Sequence, residues 1–307
     1  MTTPVIVGDA DDPHVAAVQA HLREPAAVLD LSLLSRARYV LDDEALVIDD
    51  GDSPIRLRHA EARRGWLRRI APHDWSTGIA AESRAFAETS AWISLLSAWL
   101  RQPGTEWLTT VDGAVRAENK LIVHAAAARS AVRTPQTVVT NDPSHIPESL
   151  GDRVVAKPLG PGHYIEAGAS YSLFASAVRR SELTAAALAP APFLLQEALR
   201  AVKHRRVVTV EESAWSAALD AADLPLDWRS EPRAHTSFRV DDAPAEVLEG
   251  AAAVAHELGL GYSSQDWVET TSGEHVLLDV NPGGQWLFLP DAVSQPVARA
   301  IAEWLHG

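Results

Sequence analysis

Hydrophobic positions open the chain as a short continuous run at residues 5–7. The Asp-rich Gly8-Asp9-Ala10-Asp11-Asp12-Pro13 then leads into residues 14–23, where apolar residues recur at helical spacing. A second apolar run at 27–31 completes strand, helix, strand, the opening of a parallel α/β unit. Residues 38–48 and 55–58 predict short antiparallel strands around the turn Gly51-Asp52-Ser53-Pro54. A long helix is expected over 79–100, closed by Pro103-Gly104, the first candidate boundary. Another helix is expected over 113–131, and Thr134-Pro135 introduces a strand through residue 140, so a second lobe begins near residue 110. From residue 153 the pattern turns to strands. Val154-Val155-Ala156-Lys157 runs into the loop Pro158-Leu159-Gly160-Pro161-Gly162-His163, and Phe193-Leu194-Leu195-Gln196-Glu197 is an apolar run with a polar end. Residues 204–210 and 214–219 predict a hairpin-like pair, 244–258 a helix, 264–269 and 275–280 two further strands, and 291–305 a last helix.

Composition narrows the chemistry. At 307 residues and 47% hydrophobic content the chain is long enough for two or three lobes. With no cysteine and one methionine, disulfide frameworks, thiolate metal sites and thiol nucleophiles are excluded, so any chemistry rests on oxygen and nitrogen groups. A formal charge of −14 without a long run of Lys or Arg disfavours a nucleic-acid or anionic-membrane surface. The first residues carry neither a basic region nor a long apolar stretch, and no apolar run reaches bilayer length. A cytoplasmic protein with no nucleic-acid or membrane partner is therefore expected.

The most informative segment is Asp266-Trp267-Val268, followed across Ser272-Gly273 by Asp279-Val280-Asn281-Pro282-Gly283-Gly284. Two strands joined by a turn bring Asp266 close to Asp279 and Asn281, and residues two apart on a strand project to one face. Two carboxylates and an amide oxygen make a hard oxygen site of the kind magnesium accepts alongside nucleotide phosphates. The same residues also read as plain turn punctuation. Lys157 ends an apolar strand before a loop with two glycines whose N–H groups suit phosphates, although the spacing is not that of a P-loop. Its other reading is a solvated lysine at a strand end. Arg205, Arg206 and Arg229 add positive charge, or are ordinary surface arginines. The histidines from His14 to His124 lack metal-like spacing and read as surface or satisfied core groups. Most tryptophans read as core, with Trp228 and Trp286 beside motif residues and candidates to line a substrate channel.

Taken in order, these pieces resemble the ATP-grasp superfamily, and within it the graspetide (microviridin-type) ligases that macrocyclise ribosomal peptides. Trp66-Leu67-Arg68-Arg69 is similar to the Trp-x-Arg-Arg segment of their N-terminal domain. Asn119-Lys120 and Ala156-Lys157-Pro158-Leu159 look like the two nucleotide-binding lysines, and Leu195-Gln196-Glu197-Ala198 resembles the hinge that holds adenine. Arg206-Val207-Val208 looks like the strand with a phosphate-facing arginine, and Asp227-Trp228-Arg229 like the Asp-Trp-Arg motif. Asp266, Asp279 and Asn281 fall on the magnesium ligands, and Asn281-Pro282-Gly283-Gly284-Gln285-Trp286 follows the Asn-Pro-x-Gly-Gln-Trp signature. The chain departs at three points. His204 stands where an acidic residue near the ribose is usual, Ala198 replaces a bulky hinge residue, and Asp279 replaces the commoner Glu.

The resemblance implies an α/β (α+β) ATP-grasp fold, with an N-terminal α/β domain at 1–110, a central lobe at 111–190 and a C-terminal lobe at 191–307 clamping ATP. It further implies transfer of the ATP γ-phosphate to a carboxylate, giving an acyl phosphate that an amine or hydroxyl attacks. ATP and Mg2+ are the implied cofactors. Lys120, Lys157, Gln196, Glu197, Ala198, His204 and Arg229 are then expected at the nucleotide, with Lys157, Arg206 and Arg229 serving catalysis. The implied partner is a precursor peptide with leader and core, in which Asp or Glu side chains are joined to Ser, Thr or Lys, and the implied assembly is a homodimer. A ligase for small amino acids or free peptides is a sister possibility. A catalytically silent protein that binds a nucleotide or peptide is the alternative of another class, supported by His204 and Ala198.

Overall fold

The structure is a computed structural model that describes residues 3–30, 37–49, 51, 54–69, 83–159, 163–166, 169–172, 175–189, 191–222 and 224–307. Asp52 and Ser53 of the expected turn, residues 79–82 of the expected long helix, and Gly160-Pro161-Gly162 of the candidate phosphate loop lie outside the described residues. The first third holds β1 (Val5–Gly8), α1 (Pro13–Gln19), β2 (Ala27–Asp30), β3 (Arg38–Leu41), β4 (Ala45–Asp49), β5 (Ile55–Arg58), β6 (Arg63–Leu67), α2 (Arg84–Trp99) and β7 (Thr105–Trp107). The middle follows with α3 (Val111–Glu118), α4 (Lys120–Arg129), β8 (Thr137–Thr140), β9 (Arg153–Pro158), β10 (His163–Glu166), β11 (Ala169–Ser172), β12 (Ser176–Arg179), α5 (Ala185–Leu188) and β13 (Phe193–Glu197). The chain ends with β14 (Ala201–Val210), β15 (Ser213–Asp220), β16 (Arg239–Val240), α6 (Ala245–Leu258), β17 (Tyr262–Thr270), β18 (His275–Asn281) and α7 (Asp291–His306).

The expected parallel unit is present as a four-stranded sheet in the order β2-β1-β6-β7. Because a strand alternates faces, β1 serves two cores. Val5 and Val7 pack with α2 and with Leu46, Ile48 and Leu57 of the antiparallel β3-β4-β5 sheet. Ile6 faces the other way, into a core that also holds Val293, Val297 and Ile301 of α7 and Val208 and Val210 of β14. The last helix therefore joins the beginning of the chain to its C-terminal sheet through buried apolar contact. The helix expected over 14–23 ends at Gln19, whose side-chain amide donates to the Ala26 carbonyl at 3.1 Å and accepts from the Ala26 N–H at 2.9 Å, turning the chain early toward β2.

Where one helix was expected over 113–131 there are two. Asn119 breaks them at φ −88° and ψ 108°, and its side chain accepts from the N–H groups of Leu121 at 3.0 Å and Ile122 at 3.3 Å. Asn is among the strongest N-caps, and here capping outweighs a continuous apolar pattern. The consequence for function is direct, since Lys120 becomes the first residue of α4.

The middle of the chain forms a sheet in the order β12-β9-β13-β8, with a small core of Ile146, Leu150, Val154, Leu188 and Leu195. β13 lies inside this sheet, hydrogen-bonded to both β8 and β9, so the sheet continues past residue 190 to Glu197. The C-terminal sheet is antiparallel, in the order β16-β15-β14-β17-β18, and contains both hairpins anticipated from the alternation. One of its faces is covered by α3, α4 and α6 through Val207, Trp267, Leu277 and Val280. On the other, Val208 and Val210 lie against α7, while the buried His204 and Arg206 on the same face continue the row beyond the apolar core toward the two clefts. Among the described residues no helix is long and apolar enough to cross a membrane.

Candidate functional site

Strand register assembles the centre of the site. Arg206 on β14 pairs with Asp266 on β17, which in turn pairs with Asp279 on β18, so one row crosses three strands on a single face. Arg206 lies 3.2 Å from Asp266 in an ion pair. Ser264 opposite Asn281 forms the next pair along that face. Between Asp266 and Trp267 the ladder slips, because β18 carries Leu278 as an extra residue. A bulge of this kind re-aims side chains, and it brings the consecutive Leu278 and Asp279 to the wall of one cleft.

That cleft has a volume of about 250 Å3 and lies between the middle and C-terminal sheets. Lys157, at the end of β9, and Lys120, at the start of α4, line it together with Gln196, Glu197, His204, Asp227, Arg229, Asp266 and Asp279. Burial lowers the Lys157 ammonium from its ordinary range, while the carboxylates of Asp279 and Asp266 oppose that shift. Asp279 is raised, first by burial and then by Asp266, against the pull of Lys157, Lys120 and Arg229. Burial lowers His204 against Asp266 and Asp227, so it stands in the cleft as a neutral imidazole. Gln196 is buried, and its amide donates to Thr137 at 3.0 Å beside His124 at 3.3 Å, while Glu197 accepts from the Gln136 N–H at 2.8 Å. The end of β13 is thereby tied to Gln136 and Thr137 at the start of β8.

A second, wider cleft of about 650 Å3 adjoins the first and shares Trp228 and Arg229 with it. Its other cations are Arg68, Arg69 and Arg206, and its wall includes His235, Phe288 and the loop from Asn281 to Gln285. The Arg206 guanidinium carbon lies 5.8 Å from the Trp228 ring centre and 5.7 Å from that of Phe288. These rings belong to an aromatic cluster with His235 and Phe238. Arg229 is held by a bidentate pair with Asp227, both contacts at 2.8 Å, and this hydrogen bonding raises its already high basicity. A locally basic pocket thus exists on a chain of net charge −14.

Among the described residues no group of three or more His, Cys, Asp or Glu side chains is arranged to hold a metal. The candidate cation site combines two carboxylates with the Asn281 amide. Its donors fit a hard cation, since the half-buried Asp279 carboxylate is pushed up partly by its neighbour Asp266, a repulsion that a divalent ion held by the two would relieve. Asn281 Oδ1 accepts from the Gly283 N–H at 3.0 Å, so it also serves the turn, with a lone pair left over.

Of the candidate residues, Lys120, Lys157, Gln196, Glu197, His204, Arg229, Asp266 and Asp279 share the first cleft, and Arg206, Arg229 and Asn281 share the second. Ala198 does not line either one. Its side chain faces solvent and Leu199 lines the first cleft instead, because β13 ends at Glu197 and side-chain alternation ends with it. Trp228 lines both clefts, whereas Trp286 is fully buried and packs edge-on against His14 at 5.0 Å. The apolar lining of the first cleft by Val268, Leu226 and Leu278 carried no signal in the sequence, nor did the place of Arg69 and Phe288 in the second.

Mixed α/β structure around a cleft lined by two lysines and two carboxylates is shared with solved structures of the ATP-grasp fold. No family model matches the chain, and no curated protein matches it. Solved structures do. Macrocyclase MdnC bound with precursor peptide MdnA, from Microcystis aeruginosa MRC, matches with a TM-score of 0.82 and 20% identity over 99% of each chain. A Chryseobacterium gregarium RiPP-associated ATP-grasp ligase in complex with ADP and a leader and core peptide matches with a TM-score of 0.85 and 16% identity, covering 100% of this chain and 97% of that one. Macrocyclase MdnB, also from Microcystis aeruginosa MRC, gives 0.74 and 20% over 99% of each.

Three histidines, His14 and His204 buried and His124 half-buried, bear on stability. Burial lowers His14, His124 and His204 below the ordinary value of 6.5. A histidine depressed in the folded state costs nothing above its unfolded pKa, and below it the unfolded chain takes up protons that the folded chain resists. Stability is therefore expected to fall as pH drops below about 6.5, by about 1.4 kcal/mol per pH unit for each such histidine. Urea midpoints across this range measure the slope. His14→Gln is expected to remove one share of it, and an unchanged slope in that variant contradicts the assignment.

Proposed function

We propose that the protein is an ATP- and magnesium-dependent ligase that activates a carboxylate as an acyl phosphate and joins it to an amine or hydroxyl. The observation that carries this is the pair Asp266 and Asp279, adjacent across two strands and lining one cleft with Lys120 and Lys157. Lys120 and Lys157 are placed to hold nucleotide phosphates, the hinge at Gln196 and Glu197 to hold the base, and Asp266, Asp279 and Asn281 to hold magnesium. Magnesium held by these residues would offset charge on the phosphoryl group being transferred. Arg229, which lines both clefts, and Arg206, which lines the second, would orient an incoming carboxylate and stabilise the oxygens it shares with phosphate. Holding carboxylate and nucleophile side by side supplies roughly 7–11 kcal/mol of the barrier without a covalent enzyme intermediate.

The substrate we infer is a ribosomally made precursor peptide, with Asp or Glu side chains cyclised onto Ser, Thr or Lys. The likeness along the whole chain to structures containing precursor peptides supports this class. The wide basic cleft, which suits a carboxylate-bearing segment larger than a free amino acid, supports it as well. Purified protein given ATP, magnesium and a short Asp- or Glu-rich peptide encoded beside its gene is expected to release ADP and phosphate. AMP with pyrophosphate would overturn the acyl-phosphate route. A silent binding protein, the alternative suggested by His204, predicts nucleotide binding with no turnover. We further propose three lobes closing on the nucleotide, with the first boundary near residue 110 and the second moved from 190 to the end of β13. A cytoplasmic homodimer completes the reading, and sedimentation tests the dimer.

A further inference from the structure

The loop that follows Asn281 is fastened from the far end of the chain. Arg68, just after β6, is almost fully buried. Its Nε lies 3.0 Å from Asp12 Oδ2, and its guanidinium donates to the Gly283 carbonyl. A Cβ at Gly8 would sit 3.2 Å from the Arg68 side chain, so glycine leaves this path open. His14 fastens the same loop a few residues on. The backbone N–H groups of Trp286 and Leu287 point at His14 Nε2, at 3.2 and 3.4 Å, so Nε2 carries the lone pair. The ring proton then sits on Nδ1 and is donated to Asp12 at 2.8 Å, the shorter of the two contacts at that nitrogen, with the Arg68 guanidinium 3.2 Å away. Tyr262 adds a third fastening by donating to the Gly284 carbonyl at 2.7 Å.

These contacts converge on one atom. Arg68 holds the Gly283 carbonyl, the Gly283 N–H is donated to Asn281 Oδ1, and that bond sets the direction of the remaining Oδ1 lone pair. We infer that Asp12, His14 and Arg68 are positioning residues for the metal site, a latch from the first lobe that aims Asn281 at the cation through the loop 283–287. This rests on the proposed magnesium–nucleotide reading and deepens it, since it makes the first lobe part of the site rather than a neighbour of it. Outer partners that orient metal ligands commonly matter 10- to 100-fold in metal affinity.

Calorimetric titration of ADP, with and without magnesium, tests the latch without requiring turnover. Wild type is expected to bind ADP more tightly when magnesium is present. His14→Leu, which removes the acceptor for two N–H groups, and Arg68→Lys, which cannot span Asp12 and Gly283 together, are expected to keep the magnesium-free affinity. Both should lose about tenfold of the gain from magnesium. His14→Gln, whose amide oxygen can replace Nε2, is expected to restore most of it. Folded variants that keep the wild-type gain overturn the latch and leave the ligase reading standing. If His14→Leu does not fold, Arg68→Lys and His14→Gln decide the question alone. A wild type with no magnesium-dependent ADP binding contradicts the functional reading, and the latch with it.

Discussion

Asp279→Asn is expected to reduce magnesium-dependent ATP turnover by about a thousandfold or more, while raising the melting temperature of the metal-free protein. The two effects have one cause. In the folded chain burial and the neighbouring Asp266 both push the Asp279 carboxyl upward, and the lysines and Arg229 only partly compensate. A carboxyl raised in the folded state destabilises at any pH above its unfolded value, so at neutral pH the ionised side chain is a burden until a cation arrives. Asn keeps the shape and removes the charge. A structural aspartate gives the opposite sign, a lower melting temperature with little effect on turnover. Calorimetric melts in the presence of a chelator, set beside steady-state ADP release, separate the two cases.

Arg206→Lys is expected to lower turnover by about a hundredfold with a smaller change in nucleotide affinity. Arg206 is buried, paired with Asp266 at 3.2 Å, and flanked by the Trp228 and Phe288 rings. A planar guanidinium meets all of these at once and still presents N–H groups to the second cleft, whereas an ammonium is a single point that cannot stack. Because Arg206 lines the second cleft and not the first, the loss should fall on kcat and on use of the carboxylate substrate. A variant with unchanged kcat and weakened ATP binding would assign Arg206 to the nucleotide instead.

Much of the site was legible because its residues lie on regular strands, where a spacing of two fixes the face. Asp279 with Asn281, and Asp266 across the hairpin, follow from alternation and one turn. Lys157 followed from an apolar run with a charged end. What escaped lies where the backbone departs from period. The bulge that turns Leu278 into the cleft is invisible to alternation, and so is the end of β13, after which Leu199 and not Ala198 lines the cleft. The break at Asn119 splits one apparent helix, since apolar periodicity cannot report a cap inside a continuous pattern. The Asp12–His14–Arg68 latch joins residues more than two hundred positions from the loop they hold. A lone buried histidine carries no sign of its partner in one sequence.

The ligase reading meets its most direct test in the mass of the peptide it is proposed to act on. The purified protein, given ATP, magnesium and the candidate precursor, is predicted to yield a peptide lighter by one water for each ring, with one ADP formed per water lost and both products formed about a thousandfold more slowly by Asp279→Asn. Nucleotide binding by a folded wild type that leaves the mass of every candidate peptide unchanged, with no ADP released, would contradict it.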